Sequence, residues 1–194
     1  MTGYVERGDI PGIVTLIARD GEIHVDANRL PDTYRFNRES KKLEVFDSAQ
    51  NSDYSRPPAF ESGAGGLVST ADDYYAFCQT MLNKGVWGQE RILAEASVEL
   101  MTSDQLMPQQ RKGAEIFFGS YSSWGFGMGV NIQLDEPWMT PGRFGWDGGF
   151  GTSAYSDPQN GFIGILLTQR MMDSPEPPAV FTDFWAHAYR SLEA

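Results

Sequence analysis

The chain has 194 residues, 41% of them hydrophobic, which suits one domain with a single core. Its formal net charge of −11 makes the average surface repel phosphate groups. Because no basic run offsets this charge, nucleic acids and anionic membrane surfaces are excluded as expected partners. One cysteine excludes an internal disulfide framework, and two histidines far apart in sequence give no metal-ligating pattern.

The sequence contains no window of about 18 apolar residues of the kind that spans a membrane. Its N-terminal segment, MTGYVERGDIPG, lacks the basic, apolar and small-residue order of a signal peptide. We therefore expect a cytoplasmic protein, and no motif in the chain predicts a metal or a cofactor.

Two hairpins are predicted near the start of the chain. The first, GIVTLIARDGEIHVDA, has two β-rich runs joined by Asp20-Gly21, a pair suited to a two-residue turn. The second, TYRFNRESKKLEVFD, has a polar loop from Asn37 to Lys42 and is too polar to be central in a sheet. Residues 51–66 are predicted to form a loop because prolines and glycines interrupt any regular pattern.

A helix is predicted over STADDYYAFCQTMLNKG, where Ser69 and Asp72 have capping-box spacing and Asn83-Lys84-Gly85 is a stop signal. Helical spacing predicts one core-facing stripe, made of Tyr74, Cys78, Met81 and Leu82. Cys78 is therefore assigned to packing, since a free cysteine usually behaves as a small apolar side chain.

Two more helices are predicted. One covers EASVELMTSDQL, and the other is an amphipathic C-terminal helix in PPAVFTDFWAHAYRSLEA, with its prolines just before the start. His187 lies on the side of the C-terminal helix opposite its apolar stripe, which predicts a solvated surface position.

Strands dominate the rest of the chain. Trp124–Leu134 alternates glycine with larger residues and is predicted to be a strand that lies close to another backbone. A hairpin is predicted from GTSAYSD and GFIGILLTQ around residues 158–161. The first hairpin and the last three strands then form an antiparallel sheet with helices on its faces, an α/β sandwich.

Residues 144–158, FGWDGGFGTSAYSDP, place four glycines and a tryptophan around one aspartate. Such glycine density indicates that the backbone passes close to a ligand or to another strand.

Long segments of the chain resemble the α/β domain of the serine β-lactamase-related family. These are residues 3–27, 60–106 (FESGAGGLVSTADDYY and onwards), 124–130 (WGFGMGV) and 144–169. The family includes class C β-lactamases, D-alanyl-D-alanine carboxypeptidases and family VIII esterases. The resemblance implies a β-lactamase/transpeptidase-like fold of about five antiparallel strands, with the terminal helices on one side.

The resemblance also implies a place for the active cleft. The family's third motif takes a K-T-G, H-x-G or W-x-G form on the strand that lines the cleft, and Trp146-Asp147-Gly148 matches W-x-G. By position, the N–H of Gly149 is then an oxyanion donor, aimed at charge that develops in the transition state. Packing of a glycine-rich edge strand is the alternative explanation. Asp147 is interpreted as capping the turn beside Gly148 or meeting Arg143, in preference to a proton-transfer role.

The family's nucleophile motifs are absent. Its chemistry uses S-x-x-K and a Y-x-N or S-x-N, because a serine hydroxyl needs an adjacent base to attack a carbonyl. None of these patterns occurs in the chain. Ser62 and Ser153, which flank the glycine-rich segments, are the first candidates for a nucleophile, with hydroxyls bonded to backbone as the favoured interpretation. His24 and Asp26 share a strand face and are interpreted as exposed polar residues.

The missing motifs belong to a helical domain that the family inserts after the first hairpin. Here Ala27 runs directly into Asn28, so the chain resembles one α/β domain, 1–194, in which residues 1–27 and 28–194 join across an apparent deletion. The expected function is a β-lactamase-related hydrolase or esterase that lacks turnover on acyl substrates. The alternative is a non-catalytic ligand-binding or scaffold domain.

An uncovered cleft face would expose aromatic side chains, and such patches commonly become interfaces. We therefore expect a homo-oligomer formed through this face. The residues expected to be partly exposed are Trp124, Phe126, Phe144 and Phe150.

Overall fold

The computed structural model describes residues 2–19, 22–25, 31–55, 59–60, 62, 65 and 69–192. The predicted Asp20-Gly21 turn and the junction between Ala27 and Asn28 lie outside these residues. None of the described helices is long and apolar enough to cross a membrane.

The described strands are short to medium in length. In chain order they are β1 (Ile13–Arg19), β2 (Glu22–Val25), β3 (Thr33–Asn37), β4 (Lys42–Asp47), β5 (Val86–Trp87), β6 (Glu90–Arg91), β7 (Ser122–Trp124), β8 (Gly129–Asn131), β9 (Phe144–Gly148), β10 (Thr152–Asp157) and β11 (Phe162–Thr168). The helices are α1 (Thr2–Glu6), α2 (Ala71–Leu82), α3 (Glu95–Met101), α4 (Pro108–Arg111), α5 (Glu115–Phe118) and α6 (Ala179–Arg190).

Seven of the strands form one antiparallel sheet in the order β2-β1-β11-β10-β9-β8-β7. Four of its strands form the predicted first hairpin and the predicted hairpin around residues 158–161, as β1 with β2 and β10 with β11, and the α/β fold class is confirmed. The predicted second hairpin is also confirmed, since β3 and β4 pair in a separate two-stranded sheet. β1, from the start of the chain, pairs along its whole length with β11, so strands from the N-terminal and C-terminal parts of the chain are neighbours in the sheet.

The sheet has seven strands and not about five because the W-x-G segment adds β9, and because the predicted single strand from Trp124 to Leu134 is two strands, β7 and β8. The chain reverses between them, with the N–H of Gly125 donating to the carbonyl of Met128 at 2.9 Å. A Cβ on Gly125 would lie 1.9 Å from the carbonyl oxygen of Met101. This glycine therefore permits close contact with the end of α3, in place of pairing along a continuous strand.

Helices cover both faces of the sheet. Phe162 and Leu166 on β11 pack against α6, where Phe181 and Trp185 are also buried. Their neighbours Ile163 and Ile165 point to the other face and pack against α2. Because β11 is buried on both faces, its sequence is a continuous apolar run. Burial of each of these side chains contributes about 1.5–3 kcal/mol to folding stability.

Two details of α2 differ from the prediction. Its N-cap is Thr70 and not Ser69, because the Thr70 hydroxyl accepts from the N–H of Asp73 at 3.1 Å. Tyr75 and not Tyr74 is the buried tyrosine of the stripe, while Cys78 is buried as expected. Burial raises the pKa of the Cys78 thiol to about 12, which keeps it a neutral packing group.

The second predicted helix stops earlier than expected. α3 ends at Met101, and the hydroxyls of Thr102 and Ser103 bond back to the carbonyls of Val98 and Glu99. Such bonds compete with the backbone ladder and favour helix ends. The rest of the predicted segment leads instead into α4 and α5.

A buried carboxylate fixes α6 to the end of β10. Asp157 is fully buried, and it accepts hydrogen bonds from Tyr189, Thr140 and Asn160, each at 2.7 Å. Burial acts to raise the pKa of Asp157, but the hydrogen bonds outweigh it and hold that pKa below its ordinary value.

This carboxylate should make folding stability depend on acid pH. A folded-state pKa below the unfolded one contributes stability above about pH 4 that is lost as pH falls through the folded pKa. We expect Asp157→Asn to lower the free energy of unfolding by about 1–3 kcal/mol at neutral pH and to flatten its acid dependence. Urea titrations from pH 7 to pH 3 measure both effects.

The exposed Asp135 supplies the matched control, and Asp135→Asn should change stability by less than about 0.5 kcal/mol. Equal acid sensitivity in the parent and Asp157→Asn proteins would contradict a role for Asp157.

Candidate functional site

The glycine-rich stretch forms the end of β9, a three-residue turn and the start of β10. Gly148 pairs with Thr152, which leaves residues 149–151 as the loop. The N–H of Gly151 donates to the carbonyl of Gly148 at 2.9 Å, and Gly151 has φ +86°. This is the common three-residue hairpin, in which the last loop residue takes the left-handed conformation that glycine favours.

Close packing explains three of the four glycines. A Cβ on Gly145 would lie 2.0 Å from the carbonyl oxygen of Ala154, and one on Gly151 would lie 2.0 Å from that of Arg170. A Cβ on Gly148 would lie 2.4 Å from the hydroxyl oxygen of Thr152. Gly149 is different, because a Cβ there would meet nothing within 4 Å, so this glycine borders open space.

The backbone at Gly149 is fixed on one side and open on the other. Its carbonyl accepts from the N–H of Met172 at 2.9 Å. Its own N–H donates to no backbone carbonyl among the described residues, and the residue is exposed. A ligand oxygen could therefore accept a hydrogen bond from the Gly149 N–H without displacing a backbone bond.

Trp146 belongs to an aromatic cluster on the α2 face of the sheet. Its ring lies 4.6 Å from that of Trp124 in an edge-to-face arrangement, and 6.3 Å from that of Phe118. Trp146 itself is 37% exposed. These rings form an apolar depression of about 290 Å³, which we call the aromatic depression; it is lined by Leu106, Phe117, Phe118, Trp124 and Trp146.

The side chain of Asp147 points to the opposite face of the sheet. It accepts a hydrogen bond from Ser153 at 2.5 Å, and the Ser153 hydroxyl accepts from Trp185 Nε1 of α6 at 2.9 Å. Burial raises the pKa of Asp147, while the Ser153 hydrogen bond, the charge of Arg143 and a bond from Tyr155 act to lower it. Asp147 thus anchors β9 to α6, away from the aromatic depression.

Arg143 supplies the positive charge of this layer. It is 2% exposed, and its guanidinium lies 3.7 Å from the ring centre of Tyr155 and 4.2 Å from that of Trp185. Its Nη1 donates to Asn131, and among the described residues its Nε and Nη2 have no hydrogen-bond partner. The stacked rings and the nearby Asp147 carboxyl offset the cost of burying this cation.

The predicted nucleophile candidates lie in different environments. Ser153 is fully buried and bonded to side chains, where the favoured interpretation expected bonds to backbone. Ser62 is exposed and lies between segments outside the described residues. Only Ser153 lies in the described layer that contains Asp147.

The amines that could serve as a base are on the surface. Lys41, Lys42, Lys84 and Lys112 are all exposed, and Lys84 pairs with Glu95 at 2.8 Å. His187 is exposed as expected, and its Nδ1 contacts the carbonyl of Asp183 at 2.6 Å. The side chains of His24 and Asp26 lie outside the described part of the chain. Within that part, no three metal-ligating side chains form a cluster.

The aromatic exposure predicted for this face is correct in three positions and wrong in one. Phe126 is 58% exposed, Phe150 is also exposed, and Trp124 is half-buried. Phe144 is buried, because it points from β9 toward α2 and packs with Met81 and Val130.

Phe150 belongs to a second exposed group, which we call the turn cluster. Its ring contacts those of Phe46 and Tyr54 edge to face, at 6.1 Å and 5.8 Å. The turn cluster links the hairpin of β3 and β4 to the Gly149 turn.

Sequence reasoning missed three members of the aromatic depression: Leu106, Phe117 and Phe118. A signal for the phenylalanines was present, since the apolar run Ile116–Phe118 stands between polar segments and fits no predicted core stripe. Leu106 gave no such signal, because it was assigned to a helix that ends five residues earlier.

Comparison with known proteins adds a family and a fold. The family model described as Beta-lactamase matches residues 28–182. Two curated proteins of Mycobacterium tuberculosis are each 33% identical over 124 residues: the uncharacterized protein MT1414 (strain CDC 1551 / Oshkosh) and protein Rv1367c (strain ATCC 25618 / H37Rv). The match covers 60% of this chain, which spans only 31% of the length of either relative.

Three solved structures share the fold at low sequence identity. The LovD9 mutant of simvastatin synthase from Aspergillus terreus has a TM-score of 0.59 at 19% identity, covering 84% of this chain and 42% of that one. EstCE1, a hydrolase with promiscuous acyltransferase activity, has a TM-score of 0.54 at 21% identity, covering 73% and 39%. A Bacteroides dorei DSM 17855 protein provisionally assigned as a β-lactamase has a TM-score of 0.58 at 12% identity, covering 98% and 96%.

Ser153 should be a structural residue. Ser153→Ala removes the acceptor of Trp185 Nε1 and the donor to Asp147, leaving buried polar groups unpaired, so we expect a loss of about 1–3 kcal/mol in unfolding free energy. Chemical denaturation measures it. Ser97→Ala on the exposed side of α3 is the matched control and should stay within about 0.5 kcal/mol of the parent. Equal stability of the two variants would refute this role.

Proposed function

This chain belongs to the β-lactamase family of hydrolases and acyltransferases, and from that premise we propose that its Trp146–Gly149 segment binds the carbonyl group of an acyl ligand without turning the ligand over. EstCE1, which shares the fold, is described as a hydrolase with promiscuous acyltransferase activity. LovD, which also shares it, is named simvastatin synthase. Their likeness supports the fold, and the proposed role depends on the residues of this chain.

One observation carries the proposal. Gly149 is an exposed residue whose N–H donates to no described backbone carbonyl, and it follows Trp146 of the aromatic depression by three positions in the sequence. A donor of this kind can hydrogen-bond a carbonyl oxygen, and an adjacent apolar surface can hold the group attached to that carbonyl. The hairpin turn fixes the backbone on both sides of Gly149 through the Gly151-to-Gly148 and Met172-to-Gly149 hydrogen bonds. The donor is therefore held in place before any ligand arrives.

The expected lack of turnover rests on the absence of the family's nucleophile and base motifs from the sequence. S-x-x-K, Y-x-N and S-x-N do not occur anywhere in the sequence. All four lysines are exposed, and Ser153 is fully buried, with its hydroxyl bonded to Asp147 and Trp185. A serine hydroxyl without an adjacent amine or imidazole attacks a carbonyl very slowly at neutral pH.

The proposed deletion of a helical domain has two supports. The family match starts at residue 28, where the sequence analysis places the junction. The segment before it contributes β1, which pairs with β11 from the far end of the matched region. Both observations fit an α/β domain whose two parts join across residues 27 and 28.

A second candidate function is self-association through the exposed aromatic face. Phe117, which lines the aromatic depression, is 57% exposed, and Phe126, two positions after Trp124 in the sequence, is 58% exposed. The turn cluster adds exposed rings at the hairpin of β9 and β10. Apolar patches of this kind commonly mark protein interfaces. This candidate requires no ligand.

Covalent labelling tests for turnover. Incubation with a fluorophosphonate or a penicillin, followed by intact-mass spectrometry, should give no adduct, because the sequence lacks the S-x-x-K motif that would activate a serine. A nitrophenyl ester should likewise show no steady product release above the rate without protein. Ser62→Ala and Ser153→Ala are the informative variants. Labelling or release that one of them abolishes would identify a nucleophile and defeat the proposal.

Sedimentation velocity tests self-association. We expect the mean sedimentation coefficient to rise with protein concentration, and to rise less in a Phe117→Ser/Phe126→Ser double variant, which removes exposed apolar area. Trp87→Ser, at an exposed tryptophan on β5, is the matched control. A monomer at every concentration tested would remove this candidate.

A further inference from the structure

We propose that the aromatic depression selects an uncharged, apolar acyl group and disfavours ligands that carry a carboxylate. The inference rests on the proposed function, because it assumes that the Trp146–Gly149 segment binds acyl carbonyls. It adds the chemical class of the ligand.

Among the described residues, the lining of the aromatic depression contains no charged side chain. Its members are Leu106, Phe117, Phe118, Trp124 and Trp146. A carboxylate that enters such a surface loses its hydration and gains no ion pair, which is a large cost. A phenyl or short alkyl group gains by the same transfer, since apolar area leaves water.

Two described arginines that lie near the lining residues in sequence have other partners. Arg111 pairs with Asp104 at 2.5 Å and also donates to Ser123, which leaves its charge neutralised. Arg143 lies on the opposite face of the sheet, stacked between Tyr155 and Trp185. Neither of them presents a free guanidinium to the aromatic depression.

The motif contributes no positive charge to the aromatic depression. Trp146 occupies the position at which other branches of the resembled family have lysine or histidine, and the side chain of Asp147 points to the opposite face of the sheet. With a net charge of −11, the protein also repels anions at long range. The net negative charge of the protein and the apolar lining of the aromatic depression therefore both disfavour binding of a carboxylate.

The size of the aromatic depression limits the group that it can hold. At about 290 Å³ it is at the lower end of the volumes of small-molecule sites, which start at about 300 Å³. It suits one aromatic ring or a short alkyl chain, with the carbonyl group outside it near Gly149. Edge-to-face rings such as Trp124 and Trp146 provide both a floor and a wall for such a group.

A matched pair of ligands tests this selectivity. N-phenylacetylglycinamide and N-phenylacetylglycine share the phenyl group and the internal carbonyl, and they differ in a terminal amide or carboxylate. Isothermal titration calorimetry on the full chain should show that the amide binds about fivefold tighter or more.

Two variants locate the binding. Phe118→Ala removes a ring that contacts both Trp124 and Trp146, and it should weaken amide binding about threefold to tenfold. Leu106→Arg adds a cation to the lining and should raise carboxylate affinity relative to amide affinity, a gain that misfolding does not produce. Trp87→Ala, at an exposed tryptophan on β5 outside the lining, should leave both affinities unchanged.

The possible outcomes separate the inference from the proposed function. Equal affinities, or tighter carboxylate binding by the parent protein, would overturn the selectivity and leave acyl binding intact. No measurable binding of either compound would overturn acyl binding itself, and the inference with it. If binding appears only after dilution to monomer, a second copy competes for the aromatic depression, and selectivity for the amide in the monomer still supports the inference.

Discussion

Burial of β11 on both faces is the constraint on which the rest of the structure depends. Its alternate side chains, Phe162 and Leu166 on one side and Ile163 and Ile165 on the other, each need a helical layer. α6 and α2 supply those layers. β11 also pairs with β1 from the start of the chain and with β10 from the hairpin before it. A strand with two apolar faces and two paired edges leaves little freedom in where β9 and β10 can lie.

The candidate site follows from this arrangement, because β9 pairs with β10 and inherits its position. The pairing puts alternate residues of the W-x-G segment on opposite faces. Trp146 then joins the aromatic depression on the α2 side, while Asp147 joins Ser153 and Trp185 on the α6 side. One strand thus serves two purposes: its inner carboxyl group holds the strand to a helix, and its outer tryptophan forms a surface. The turn that follows exposes Gly149 as a result of hairpin geometry.

Under the proposed function, the chemistry of this face is that of binding. An open amide and an apolar depression can orient a carbonyl compound, and orientation that no nucleophilic attack follows gives affinity without acyl transfer. The charge of the protein fits this proposal, since the chain is acidic, Arg111 is paired with Asp104, and Arg143 is buried on the opposite face of the sheet. The exposed aromatic side chains make self-association the competing use of the same face.

The sequence alone determined the elements whose patterns are local. The β10–β11 hairpin, the β3–β4 hairpin, α2 and α6 were predictable because turn residues and periodicity encode them over a few positions. The W-x-G segment was identifiable because its residues are adjacent and match a family pattern. Tertiary structure alone decided the features that depend on distant contacts: the reversal at Gly125, the burial of Phe144, and the meeting of Leu106, Phe117, Trp124 and Trp146 in one depression. The physical reason is that a side chain's environment is set by what packs against it, and for these residues the partners come from distant segments of the chain, such as Met81 for Phe144 and Leu106 for Trp146.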